Sequence, residues 1–149
     1  MLRVPRWAYL FLRQNTSRQR LILEATFYLL AARVALKIVP FRKISAFLRR
    51  PIKEDRISND KKEKLETEVN WAIRLAAKNL PGETVCFPRA IAAQKMLRRH
   101  GIRATLYYGA RTVSEQGLEA HVWLQDGEKG IIGYQTNHEY KVLARYQPL

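Results

Sequence analysis

Residues 84–110 read TVCFPRAIAAQKMLRRHGIRATLYYGA, and the spacing of apolar residues changes along this stretch from a helical period to a strand period. The first part predicts a helix that begins near Cys86. Pro88 is tolerated there, because the backbone N–H groups in the first turn of a helix have no intrahelical partner to lose. Gly101 fits the C-terminal cap of this helix. Residues 102–110, rich in Tyr and Leu, then predict a strand.

The patterns on either side place helices before this stretch and antiparallel strands after it. Further helices are predicted at 17–39, 42–50 and 60–79, and further strands at 119–125 and 129–135. Thr16 and Gln19 have the spacing of a capping box, and Asp126-Gly127 is typical of a hairpin turn. Residues 1–15 show no clear period and predict a short helix or an ordered arm. Helices first and antiparallel strands afterwards indicate an α+β fold.

The charge is concentrated in the first part of the chain. The 149 residues carry a net charge of +14. Residues 1–60 hold 13 Lys or Arg against 4 Asp or Glu, which gives +9, and residues 61–149 hold 14 against 9, which gives +5. We therefore predict a basic helical segment at 1–59 and a core at 60–149. A concentration of positive charge attracts nucleic acid, anionic lipid or an acidic peptide, and charge alone does not distinguish among these partners.

Several classes of protein are disfavoured by the residues present. One cysteine forms no internal disulfide, and the three scattered histidines offer no set of four zinc ligands. The chain has no RNA-binding, zinc-finger or helix-turn-helix signature, so nucleic acid is not an expected partner. A single cysteine suits a reducing compartment, and we predict a cytoplasmic protein.

The apolar stretch 21–41 is interrupted by Glu24, Arg33 and Lys37. Charges within a membrane span are costly, and no uncharged run here approaches the roughly 20 residues that a bilayer requires. We predict a helix that lies on a membrane surface or packs against a partner.

Cys86 and His121 form the candidate catalytic pair. A thiol at a helix start meets the unpaired N–H groups and partial positive charge of the first turn, which favour the thiolate nucleophile. His121, in the segment His121-Val122-Trp123 on a predicted strand, could hold the thiol ionised and return a proton to a leaving group. The alternatives remain open: Cys86 as a small buried apolar side chain, and His121 as a histidine packed on the sheet.

An ordered set of motifs resembles the transglutaminase-like cysteine peptidases, and within them the B2 proteins of lasso peptide biosynthesis, which remove leader sequences. The set comprises Val39-Pro40-Phe41, Cys86-x-x-x-Ala90, Leu97-Arg98-Arg99-His100-Gly101-Ile102, Leu106-Tyr107-Tyr108-Gly109, His121-Val122-Trp123 and the closing stretch 133–146. The resemblance implies a papain-like core, with the nucleophile helix packed on a small antiparallel sheet.

The third catalytic residue is where this chain departs from the family. Members with a complete triad often place an Asp twelve residues after the histidine, where this chain has Gly133. An amide can replace the acid, because the third group chiefly fixes the tautomer and direction of the imidazole ring. Gln135 is therefore the predicted orienting residue, with Asn137 as a weaker choice. Asp126, in the hairpin turn, is expected to lie too far along to reach the imidazole.

The resemblance implies cleavage of a leader peptide from a ribosomally made precursor, without a metal or organic cofactor. It also implies that a small leader-binding protein shares substrate recognition. The arginines of the first 20 residues either solvate helix faces or dock an acidic leader peptide. Two alternatives remain: a non-catalytic adaptor with the same fold, which the missing Asp favours, and acyl transfer to an amine through the same thioester chemistry.

Overall fold

The computed structural model describes residues 5–52, 57–115, 117–134 and 139–148. In these ranges the chain forms five helices and then four strands. The helices are α1 (Arg6–Leu12), α2 (Thr16–Ile38), α3 (Phe41–Leu48), α4 (Asn59–Asn79) and α5 (Cys86–Arg99), and the strands are β1 (Thr105–Val113), β2 (Gly117–Asp126), β3 (Lys129–Ile132) and β4 (Lys141–Tyr146). The predicted α+β class is confirmed, and a short helix occupies part of the first 15 residues.

The start of α2 is capped differently from the prediction. Asn15, and not Thr16, is the N-cap residue, and its side-chain oxygen accepts a hydrogen bond of 2.9 Å from the backbone N–H of Arg18. Gln19 donates instead to the carbonyl oxygen of Phe11, at 3.2 Å. The predicted capping box is therefore wrong, because Asn15 lies one residue earlier and supplies the acceptor. Within the described ranges, no helix combines the length and the apolarity that a bilayer crossing requires.

The end of α5 directs the chain into the sheet and agrees with the prediction that Gly101 caps this helix. Gly101 has a φ of +72°, which glycine adopts without steric cost. Its N–H donates to the carbonyl of Arg98 at 3.1 Å, and the N–H of Ile102 donates to the carbonyl of Leu97 at 3.0 Å. These two hydrogen bonds form a Schellman motif. The chain therefore reverses within a few residues, and β1 runs back along α5.

The sheet has the strand order β3-β2-β1-β4, and every neighbouring pair is antiparallel. The edge strand β4 was not predicted, because its residues are mostly exposed and carry no alternation of apolar and polar side chains. The predicted third strand extended to residue 135. In the structure β3 ends at Ile132, because Gly133 turns the chain with a φ of +68°.

One face of the sheet packs against the helices. α5 packs on β2 and also contacts α2 and α4. Leu106, Val122 and Leu124 on the sheet belong to the same buried cluster as apolar residues of these three helices. The cluster includes Leu29 of α2, so the predicted basic segment contributes to this core. The division at residues 59 and 60 stays a prediction.

Candidate active site

Cys86 is the first residue of α5 and is half-buried. The N-cap residue of α5 is Val85, whose side chain forms no capping hydrogen bond, and no acidic residue lies in the first turn of the helix. The free N–H groups of this turn therefore face the region around the thiol. Cys86 packs against the edge of the buried cluster, and its sulfur has no hydrogen-bond partner among the described residues. Cys86 is therefore a partly exposed thiol at the first position of a helix.

Two polar residues near Cys86 have unsatisfied atoms. Thr84 is 5 % exposed, and its hydroxyl oxygen has no partner among the described residues. Arg89 follows Cys86 by three positions on α5, a spacing that places two side chains on neighbouring parts of a helix surface. Its Nε atom is buried and likewise without a hydrogen bond in the part of the chain that the structure describes. Arg89 was not predicted as a site residue, although its position three residues after Cys86 on a helix could have indicated it.

His121 lies on β2 opposite Gly109 of β1. Its ring is stacked with that of Trp123, at 6.1 Å between centroids, and contacts the ring of Tyr140 at 4.9 Å. The Nε2 atom of His121 lies 2.8 Å from the carbonyl oxygen of Gly133. A carbonyl only accepts hydrogen bonds, so Nε2 carries the hydrogen and Nδ1 is left as the basic nitrogen of the neutral ring. This is the tautomer that a base acting through Nδ1 requires.

Gly133, twelve residues after His121, therefore contacts the imidazole through its backbone carbonyl. A Cβ atom at this position would lie 3.0 Å from the Val122 carbonyl oxygen and 3.2 Å from His121 Nε2. With the φ of +68°, these contacts explain why glycine fits the site and a larger residue would have to displace the histidine.

The structure describes only some of the residues that were considered as partners of the His121 ring. Gln135 and Asn137 lie outside the described residues, so their roles stay predictions. Asp126 forms an ion pair with Lys62 of α4, and among the described residues His121 is hydrogen-bonded to Gly133. His100 is the exposed C-cap residue of α5, and His138 lies outside the described residues.

The alternation of side chains along β2 places His121 on one particular face of the sheet. Val122 and Leu124 point into the helix-packed core, whereas His121 and Trp123 belong to the opposite face, where Trp123 stacks on Tyr107 at 5.5 Å. No hydrogen bond joins Cys86 to His121 in the described structure. β3 pairs with β2 only from Leu124 to Asp126. Gly133, which follows β3, lies next to Val122 instead, because its Cβ position is 3.0 Å from the Val122 carbonyl oxygen.

Tyr140, whose ring contacts the imidazole of His121, is itself in contact with Arg111. Arg111 lies 4.9 Å above the ring of Tyr140 and forms ion pairs with Glu119, at 2.8 Å, and with Glu139. These contacts hold Tyr140 against His121. Tyr140 had no signal in the sequence, because it follows a stretch without periodicity. In the described ranges, no cluster of three His, Cys, Asp or Glu side chains is arranged to hold a metal ion.

The comparison with known families agrees with this arrangement of helix, sheet and histidine strand. A family model described as the transglutaminase-like superfamily matches residues 26–145, from within α2 to the last strand. No match to the chain is found among curated proteins or among solved structures. The matched region includes Cys86 at the start of its helix and His121 on its strand, and it spans most of the 149 residues. This chain therefore belongs to the transglutaminase-like superfamily.

Proposed function

We propose that this protein is a cysteine peptidase that removes the leader peptide from a ribosomally synthesised, lasso-type precursor. The observation that carries the proposal is the position of the only cysteine, at the uncapped start of α5 within the region that matches the superfamily. The superfamily fold is that of cysteine peptidases and acyltransferases. The lasso-type substrate is supported by the motif set around Cys86 and His121. A small leader-binding protein is the proposed partner.

In the proposed mechanism Nδ1 of His121 takes the proton of the Cys86 thiol, and the resulting thiolate attacks the carbonyl carbon of the scissile peptide bond, so that a C–S bond forms. The free N–H groups of the first turn of α5 stabilise the resulting oxyanion. The C–N bond then breaks as His121 donates its proton to the departing amine. Water attacks the thioester while His121 accepts a proton, and the C–S bond breaks to regenerate the thiolate.

His121 acts through Nδ1 in this mechanism, with the Gly133 carbonyl as the orienting group. A backbone carbonyl fixes the tautomer as an Asn side chain does, because both accept a hydrogen bond from the far nitrogen of the ring. It carries no negative charge and stabilises the imidazolium less than a carboxylate would. We therefore expect turnover slower than that of a Cys-His-Asp enzyme. The mechanism requires that the thiol and Nδ1 come together when the substrate is bound.

A non-catalytic adaptor is the second candidate, and the observed geometry favours it in one respect. His121 shares a sheet face with Trp123, away from the face on which α5 packs, and no hydrogen bond links it to the described thiol. If the two groups never meet, the fold binds a peptide without cutting it.

The rate of Cys86 alkylation by iodoacetamide at neutral pH separates the two candidates. A thiolate supported by His121 reacts rapidly, and His121→Ala should slow the reaction by about tenfold. His100→Ala is the matched control, because His100 is exposed at the far end of the same helix. Equal rates in the native chain and in both variants would contradict the peptidase proposal and support the adaptor.

Mass spectrometry of a precursor peptide from a neighbouring reading frame then tests the reaction itself. Incubation with the native protein should release the leader as a free acid, and Cys86→Ser should release none. An adduct of the leader with an added amine, at the expense of the free acid, would identify an acyltransferase. No change in the precursor with either protein, in the presence of its leader-binding partner, would refute a catalytic function.

A further inference from the structure

An apolar groove of about 360 Å³ lies between α2, α3 and α5, remote from the imidazole of His121. Small residues, including Ala31 and Ala35, form its floor, and Phe27, Ile44 and Phe47 form parts of its walls. Phe27 is 65 % exposed, although it is one of the largest apolar side chains on α2. An exposed concave apolar surface of this kind is typical of an interaction site.

One end of the groove carries a concentration of positive charge. Lys43 and Lys95 line the groove itself, and an adjoining hollow that shares Phe47 and Lys95 with it is lined by Arg50 and Arg98. Three of these cations lie above the Phe47 ring. Their distances from its centroid are 5.1 Å for Lys95 and 5.3 Å for both Arg50 and Arg98. An anion bound at this end would therefore meet several cations at once.

In the described ranges these cations form no ion pairs, although Arg98 donates hydrogen bonds to the carbonyl oxygens of Phe47 and Arg50. No carboxylate of the described ranges forms an ion pair with Lys43, Lys95, Arg50 or Arg98, whereas the nearby Arg99 pairs with Glu24 at 3.0 Å. Burial lowers the pKa of Lys95, and the neighbouring arginines lower it further. Like charges that repel one another are stabilised by a bound anion.

We propose that the groove and its basic end are a docking site for an acidic amphipathic helix of a partner polypeptide. Apolar side chains at helical spacing fill the space above Ala31 and Ala35, and Asp or Glu side chains on the flank of that helix pair with Lys43 and Lys95. The groove is enclosed by three helices, so a protruding side chain fills it, whereas a flat lipid surface does not. This site does not depend on the proposed peptidase activity, because binding requires neither Cys86 nor His121.

The test uses a synthetic helical peptide with four Leu or Phe residues at i, i+3, i+4 and i+7 and Glu on both flanks. Its affinity for the full chain is measured by fluorescence anisotropy and compared with that of a peptide in which Lys replaces every Glu. Lys43→Glu and Lys95→Glu reverse charges at the groove, and Ala31→Trp fills the groove from an exposed position. Lys78→Glu is the matched control, because Lys78 is an exposed lysine on α4 outside the groove.

The acidic peptide should bind, the basic peptide should not, and each groove variant should weaken binding about tenfold, which is 1.4 kcal/mol. Lys78→Glu should leave the affinity within about twofold, which is the effect expected of long-range charge alone. Equal weakening by Lys43→Glu and Lys78→Glu would overturn the proposal, as would undiminished binding to Ala31→Trp. Binding of phosphatidylglycerol vesicles that requires Lys43 and Lys95, without binding of the acidic peptide, would also overturn it and identify a lipid site.

Discussion

Replacement of Gly133 by alanine should destabilise the protein and disturb His121 at the same time. The left-handed φ of +68° costs a non-glycine residue about 1 kcal/mol. The new Cβ would also lie 3.0 Å from the Val122 carbonyl oxygen and 3.2 Å from His121 Nε2, so one of them must move by a few tenths of an ångström. Overpacking of this kind costs about another 1 to 2 kcal/mol.

A matched control separates these two costs. Gly127 has a φ of +56°, and nothing lies within 4 Å of its Cβ position, so Gly127→Ala carries the backbone cost alone. The free energy of unfolding, measured with urea, should fall by about 1 kcal/mol for Gly127→Ala and by about 2 to 3 kcal/mol for Gly133→Ala. Long-range ¹⁵N–¹H spectra of His121 should show hydrogen on Nε2 in the native chain and a larger Nδ1–H fraction in Gly133→Ala only.

The position assigned to the Gly133 carbonyl would be refuted by one result in particular. If Gly133→Ala is no less stable than Gly127→Ala and the His121 tautomer is unchanged, no contact holds the ring at this carbonyl. An unchanged tautomer with the larger loss of stability would instead limit Gly133 to a packing role.

Three further predictions concern buried polar groups. Burial raises the pKa of Glu66 above its ordinary 4.5, although Lys129 acts in the opposite direction. The folded protein therefore holds this proton more tightly than the unfolded chain does, and the free energy of unfolding falls as pH rises above 4.5. In Glu66→Gln the free energy of unfolding, measured with urea between acidic and neutral pH, should depend less on pH than in the native chain. An equal pH dependence in both proteins would contradict this prediction. Gln94 is 2 % exposed and donates hydrogen bonds of 3.1 and 2.9 Å to the carbonyl oxygens of Ala104 and Tyr146, so Gln94→Met should cost about 2 to 3 kcal/mol in thermal unfolding. Arg89→Gln should slow Cys86 alkylation about two- to fivefold, with recovery in Arg89→Lys, whereas equal slowing by both would show that charge is not the cause.

Much of the secondary structure could be predicted from the sequence, because it depends on the backbone preferences of individual residues. Pro40 and Pro81 lie just beyond the ends of α2 and α4, and Gly101 ends α5, as the backbone preferences of these residues predict. The Asp126-Gly127 turn likewise joins β2 and β3. β4 was missed because an edge strand with mostly exposed side chains lacks the alternation by which strands are recognised.

The candidate site could be predicted only in part, because one of its contacts is made by the backbone. Residue type and spacing singled out Cys86 at a helix start and His121 on a strand, and the structure places each on that element. Residue type predicts a side-chain partner for His121 at Gln135, which lies outside the described residues. In the structure Nε2 is bonded to the Gly133 carbonyl, a group that every residue possesses and that no sequence pattern marks.

By itself, the sequence determined the class of fold and the positions of the main helices, and it singled out two candidate catalytic groups, because these depend on backbone preferences and side-chain chemistry along short stretches. Only the tertiary structure decided which sheet face carries His121, which carbonyl fixes its tautomer, and how α2, α3 and α5 enclose an apolar groove with a basic end. Those features depend on the register of paired strands and on contacts between residues far apart in the chain, and neither leaves a local signature.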